Sequence, residues 1–191
     1  MLEKVPSVLG RLLNRAKAGS EELAFHDPRF AGPPCSITLE SPAFTDGGPL
    51  PATFTDDGGK LSPPLRWSGV PESTEAVVMI VEDADSPTPT PLVHAICWDL
   101  PGEDGELAAG DLDSPCSVGE GHMLGRNSFK RVEYLPPDPP RGHGPHRYAF
   151  QVFALDARLD FDDAPNRKEV LDAMQGHVLA KGCLVGVYER R

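Results

Sequence analysis

Prolines and glycines cut this chain into short apolar runs, and that punctuation limits what it can fold into. The 191 residues include 21 prolines and 19 glycines, spread along the chain rather than gathered in one low-complexity block. A proline lacks a backbone donor and pushes the residue before it away from helical angles. Helices are therefore confined to the few stretches without such breaks, and the other apolar runs have strand length. The pattern is that of a mainly β domain with long, rigid loops.

Ala76 to Val81 is almost continuously apolar, as expected for a central strand buried on both faces. Tyr148 to Leu155 is the clearest strand. Val93 to Leu100 alternates, so that His94, Ile96, Trp98 and Leu100 are expected on one face. Ser36 to Glu40 also alternates. Leu61 to Trp67 is extended around its prolines, and Lys181 to Tyr188 forms a final strand entered through Gly182. Two helices lie near the ends. In residues 5–17, Val5, Val8, Leu9, Leu12, Leu13 and Ala16 recur at helical spacing, with Pro6 near the start and Gly19 past the end. The second opens on a capping box, Asn166 to Glu169, and carries a stripe of Val170, Leu171, Met174, Val178 and Leu179. Residues 101–142 form a long loop region. The length fits one domain over residues 35–191, preceded by a helix and connector over residues 1–34.

The formal net charge is -11. Binding a phosphate backbone requires a dense basic surface, so this balance argues against nucleic acid as a partner. It argues equally against general adhesion to anionic membranes. It leaves room for one anionic group in a locally basic pocket. No apolar run approaches the roughly 20 residues of a membrane span. Arg11, Arg15 and Lys17 interrupt any signal-like apolar core. Cys35, Cys97, Cys116 and Cys183 form no C-x-x-C pair, and reduced thiols in a cytoplasmic protein are expected.

Two short stretches carry the chemistry. The first is Asp83-Ala84-Asp85-Ser86-Pro87 at the end of the buried strand, with His94 shortly after. Its acids can serve a ligand, a metal or a nucleophilic mechanism, or simply close a turn through nearby amides. A Mg²⁺-dependent phosphatase would use Asp83 as nucleophile, Asp85 as acid/base and Asp162-Asp163 as a metal pair. Pro87, the following Thr88-Pro89-Thr90-Pro91 and the missing strand–helix rhythm oppose that alternative. The second stretch runs from Pro139-Pro140 to His146-Arg147-Tyr148. Period-two alternation puts His146 and Tyr148 on one face and Arg147 on the other. An imidazole and a phenol on one face can donate to an anion, or they can be ordinary packing with satisfied tips. Arg147 is expected to pair with Asp85. His94 taken alone reads equally as a structural histidine. His143 and His146 form H-x-x-H, but no residues complete the three or four ligands that zinc needs, and no metal site is expected. A G-x-G-x-x-G loop fails at Leu124, and neither a G-x-S-x-G elbow nor a Walker loop is present.

In chain order, several elements resemble the phosphatidylethanolamine-binding protein family, in its bacterial Raf-kinase-inhibitor-like branch. They are Ser41-Pro42-Ala43-Phe44 with Leu50-Pro51, Leu61-Ser62-Pro63-Pro64-Leu65-Arg66-Trp67, and Asp83-Ala84-Asp85-Ser86-Pro87 with His94. Pro139-Pro140-Arg141-Gly142 with His146-Arg147-Tyr148 follows, then Gly176 to Ala180 and Gly186 to Arg190. The resemblance implies a Greek-key β-sandwich, with a large central sheet, a smaller sheet and a few peripheral helices near the termini. It implies a non-enzymatic protein without cofactor, whose pocket accepts a small anion or a phosphorylated head group such as phosphoethanolamine. Carried over, the pocket would use Asp83, His94, Pro139, Pro140, His146 and Tyr148, supported by Asp85, Pro87 and Arg147. His146 and Tyr148 would donate hydrogen bonds. His94 would be held by, or share a proton with, Asp83, so that binding strengthens as pH falls. A homodimer and a regulatory role that inhibits a kinase or a protease are further implications. The chain departs from the family pattern at Ala84, at Leu92 and at Asp138, which adds negative charge beside the pocket.

Overall fold

A computed structural model describes residues 16–113 and 123–190. The helix expected over residues 5–17 falls outside them except for Ala16 and Lys17, which are irregular. The strands are β1 Thr38–Glu40, β2 Gly48–Pro49, β3 Leu65–Ser68, β4 Ala76–Asp83 and β5 Leu92–Pro101. They continue as β6 Gly105–Leu107, β7 Met123–Leu124, β8 His146–Leu155 and β9 Val178–Tyr188. One sheet has the order β1-β3-β6, and the larger has the order β2-β9-β8-β4-β5-β7. The β4–β5 and β8–β9 pairs join through the antiparallel β4–β8 ladder, so the centre of the sheet unites two distant parts of the chain. The molecule is thus mainly β with two sheets. The loop region expected over 101–142 contributes the two short strands β6 and β7.

β4 is buried along its whole length, which explains its unbroken apolar run. On one face Val77, Met79 and Val81 pack with Phe150 and Val152 of β8 and with Leu39, Leu65 and Trp67 of the small sheet. On the other, Val78 and Ile80 pack with Phe153, Leu155 and the helix α1, Arg167–Met174. Three layers result: small sheet, large sheet, and a back layer of helix and connector. α1 opens with the expected capping box between Asn166 and Glu169. It stops at Met174, short of the expected stripe. Gly176 takes φ +85°, a left-handed angle that ends the helix, and Val178 and Leu179 belong to β9. Gly182 lies inside β9 rather than at its entrance. A Cβ there would sit 2.3 Å from the Ile37 carbonyl oxygen, so only glycine lets the 34–37 segment pair with β9.

β5 departs from simple alternation. Val81 pairs with Ala95 but Glu82 with Val93, leaving His94 as an extra residue, and a second register shift lies between Val77 and Met79. Asp99, next to that second shift, has φ +59°. Each bulge reverses the faces of the residues beyond it. Ile96 and Trp98 therefore face the back layer, whereas Leu100 joins the inter-sheet core. The expected shared face for His94, Ile96, Trp98 and Leu100 is corrected accordingly. His94 joins Asp83 and Tyr148 on the inter-sheet side, where all three line one cavity.

The connector is fastened to the back of the large sheet by buried polar groups. Glu82 Oε2 accepts from the Ala24 amide at 2.8 Å and from Gln151 Nε2 at 2.9 Å. Its Oε1 accepts from Arg167 Nε at 2.5 Å. Gln151 Oε1 accepts from the Phe25 amide at 2.6 Å, and Lys181 Nζ donates to the Phe25 and Phe30 carbonyls at 2.7 and 2.6 Å. Removing one partner of a buried charged pair leaves the other uncompensated. Glu82→Ala is therefore expected to cost about 3 kcal/mol of unfolding free energy in urea titration. It should also make residues 20–34 cleavable by protease before global unfolding.

Candidate functional site

Asp83 ends β4 between Leu92 of β5 and Tyr148 of β8. Its buried carboxylate serves two masters. Oδ1 accepts from the Asp85 amide at 2.8 Å, which is the turn chemistry anticipated for such an acid. Oδ2 lies 2.7 Å from His146 Nδ1. His146 Nε2 in turn lies 2.7 Å from His143 Nδ1. The carboxylate accepts from His146, and one hydrogen lies between the two imidazoles. This corrects two expectations. Asp83 holds His146 rather than His94, and His146 has both ring nitrogens engaged inside the protein, with none to donate into the cavity. His143 and His146 bond each other instead of converging on an ion.

His94 is fixed differently. Its Nδ1 is 2.5 Å from the carbonyl oxygen of Leu135, whose amide donates back to the His94 carbonyl at 2.8 Å. The segment carrying Leu135 is held by Asn127, which bridges the amides of Phe129 and Arg131 and donates to the Glu133 carbonyl. The His94 and Tyr148 rings meet edge to face at 5.1 Å. Both are buried, and among the described residues neither His94 Nε2 nor the Tyr148 hydroxyl has a hydrogen-bond partner. Burial lowers the His94 pKa below its ordinary value, outweighing the opposing effects of Asp83 and the Leu135 carbonyl. Burial, reinforced by Asp83, raises that of Tyr148 well above the usual phenol value, so the hydroxyl keeps its proton.

A cavity of about 680 Å³ opens beside these groups, within the range of small-molecule sites. Asp83, His94, Pro139, Pro140, His146 and Tyr148 all line it, as does Pro87. The prolines form a wall without amide donors. Ser86, Tyr134 and Leu135 also line the cavity, beyond the pocket residues expected from the sequence. Ser86 closes the loop after β4 by donating to the Asp83 carbonyl and accepting from the Leu92 amide, both at 3.2 Å. The Leu135 carbonyl is a backbone group and leaves no side-chain signature. The added acid Asp138 accepts from Arg190, which also forks onto Asp57 with both contacts at 2.7 Å, so its charge is countered. Phe129, at 44% exposure, stands at the mouth.

Asp85 and Arg147 lie behind this wall and form the expected pair. Arg147 Nε and Nη2 donate to the Asp85 carboxylate at 2.7 and 2.9 Å, its amide adds a third bond at 2.9 Å, and Lys17 a fourth at 2.9 Å. The Ala18 and Gly19 amides donate to the Ser86 and Ala84 carbonyls at 3.0 and 2.9 Å. The residues ahead of the connector thus grip the back of the pocket loop.

A sequence profile described as phosphatidylethanolamine-binding protein matches residues 40–189. The chain belongs to the phosphatidylethanolamine-binding protein family. A UPF0098 protein from Pyrococcus horikoshii is 40% identical over 146 residues, covering 74% of this chain and 71% of the relative. One from Aquifex aeolicus is 40% identical over 151 residues, covering 78% and 86%. Among solved structures, the family homologue CT736 of Chlamydia trachomatis is similar at a TM-score of 0.73 and 33% identity, covering 82% of this chain and 99% of that one. YbcL of E. coli, described as a new member of the mammalian PEBP family, is similar at 0.75 and 27%, with the same coverage. Membership suggests a ligand-binding protein. Among the described residues, no helix is long and apolar enough to cross a membrane.

Burial pushes the Asp85 pKa up, but the bonds from Arg147 and Lys17 prevail and hold the carboxyl far below its ordinary value. A depressed folded pKa contributes stability that is present above the unfolded value, about 4, and is lost as pH falls below it. Arg147 is half exposed, so the pair is discounted for solvent screening. Arg147→Ala is expected to lose about 2 kcal/mol at neutral pH. The gap from wild type should narrow below about pH 4 in urea titrations run across the acid range.

Proposed function

We propose that this family member is a non-enzymatic receptor for a small oxyanion, with a phosphoryl head group such as phosphoethanolamine as the favoured class. The observation that carries this reading is the pair of unpartnered buried polar atoms, His94 Nε2 and the Tyr148 hydroxyl, facing one cavity. A buried polar atom left without a partner costs about 1–3 kcal/mol, so two at one cavity mark a place where a ligand supplies the missing bonds. The apolar side of the cavity, with Leu92, Phe129, Pro136 and Pro139, accommodates the organic part of such a ligand. The cavity is also large enough for a head group with substituents.

The phosphatase alternative has weaker support. Both oxygens of Asp83 are already bonded, to the Asp85 amide and to His146. Asp85 is turned toward Lys17 and Arg147 and does not line the cavity. Neither acid is placed to attack a phosphorus atom.

Titrating the protein with inorganic phosphate and with phosphoethanolamine should shift the NMR signals of His94 and Tyr148. An unchanged spectrum at both residues, below pH 6 as well as at neutral pH, would sink the proposal. Tyr148→Phe deletes a hydroxyl that has no partner among the described residues. It should leave the urea midpoint unchanged or raised. It should weaken anion binding about 10- to 100-fold, the worth of a hydrogen bond to a charged group. Equal affinity in this variant would show that the hydroxyl does not touch the anion.

A further inference from the structure

The hydrogen-bond arithmetic of the pocket does not match a fully ionised anion. The Leu135 carbonyl can only accept, so the hydrogen of a neutral His94 sits on Nδ1. Nε2 then presents a lone pair to the cavity. The Tyr148 hydroxyl offers one donor, and neither atom bonds the other. A neutral pocket is therefore complementary to a group that both accepts and donates. Sulfate and a phosphodiester only accept. A phosphate monoester that keeps its last proton does both.

We propose, resting on the oxyanion reading above, that capture of a fully ionised oxyanion takes up one proton at His94 Nε2. An oxyanion that brings its own acidic proton is accepted without that uptake. The proton comes from solvent, converts His94 to an imidazolium, and turns the lone pair into a second donor beside Tyr148. No covalent bond other than N–H forms or breaks.

The neighbours of His94 leave it able to respond in this way. On β4 the nearest acid, Asp83, is committed to His146 and the Asp85 amide, and His146 is committed to His143. On β8 the phenol Tyr148 keeps its proton. In the segment carrying Leu135, Tyr134 donates to the Phe54 carbonyl at 3.3 Å, and Glu133 pairs with Arg131 at 3.2 Å. Elsewhere on the wall Asp56 pairs with Lys60 at 2.6 Å, Asp138 pairs with Arg190, and Asp113 accepts from the Ser62 amide at 2.7 Å. Each acid is engaged elsewhere, so burial dominates and His94 is neutral in the unliganded pocket. An incoming anion reverses that balance by placing a full negative charge against Nε2.

The test is calorimetry in two buffers of different ionisation enthalpy, with three probes at pH 6 and pH 8. Sulfate stands for a fully ionised anion. Dimethyl phosphate is a phosphodiester like that of a lipid head group, without an ammonium or hydroxyl that could itself donate to Nε2. Methyl phosphate is a monoester, likewise without an ammonium, whose second proton leaves at about pH 6. Sulfate and the diester should each take up about one proton and lose about 100-fold in affinity between the two pH values, a tenfold loss per pH unit. The monoester should take up only about half a proton at pH 6, because about half of it already carries one. Ring-nitrogen NMR should find the Nδ1–H tautomer in the unliganded protein and an imidazolium in the sulfate complex. His94→Asn should flatten the pH dependence for sulfate. Sulfate binding without proton uptake, or an Nε2–H tautomer before ligand is added, overturns the coupling while leaving the oxyanion reading intact. Failure of all three probes to bind at pH 6 removes both.

Discussion

A strand buried on both faces must satisfy every polar group it carries from inside the protein, and β4 ends on two charged ones. Glu82 and Asp83 are adjacent, so they point to opposite sides of the sheet. Glu82 gathers the connector, Gln151 and Arg167 on the back. Asp83 gathers the Asp85 turn and His146 on the front. Desolvating a carboxylate is costly unless hydrogen bonds replace its water, and here each acid recruits chain from a distant part of the sequence to do so. The back layer and the pocket floor are two consequences of one requirement.

The pocket separates support from contact. Asp85 with Arg147, and Asp83 with His146 and His143, are saturated networks that hold backbone in place. The atoms left for an occupant are few: the Tyr148 hydroxyl and His94 Nε2. A rigid wall of prolines surrounds them and offers no competing amide donors. An arrangement of saturated supports around two unsaturated atoms suits holding a ligand. Asp83 and Asp85 are themselves part of those supports.

Much of the fold was legible because its signals are local. The apolar run of β4 follows from burial on both faces, and the capping box of α1 from contacts three residues apart. His146, Tyr148 and the opposite-facing Arg147 follow from strand alternation. The pairing of Arg147 with Asp85 follows once both are placed at strand ends. The illegible parts are non-local. The bulge at His94 depends on how β4 pairs with β5, and it overrides the alternation that the residues alone display. The end of α1 is hidden in the sequence because Val178 and Leu179 continue its apolar spacing while belonging to a strand. The His143–His146 contact is illegible too, because H-x-x-H spacing does not reveal that the two rings bond each other.

The sequence by itself determined the β-rich class, the central buried strand, the capped helix, and which polar residues gather at the strand ends. Those properties depend on residue type and short-range spacing. Only the tertiary structure decided which imidazole is saturated and which is open. That choice rests on a register shift in β5 and on the Leu135 carbonyl, which is displayed by a loop held in place by Asn127. A backbone oxygen has no residue identity. Its position is set by packing across the whole sheet, and it leaves no trace in the order of the amino acids.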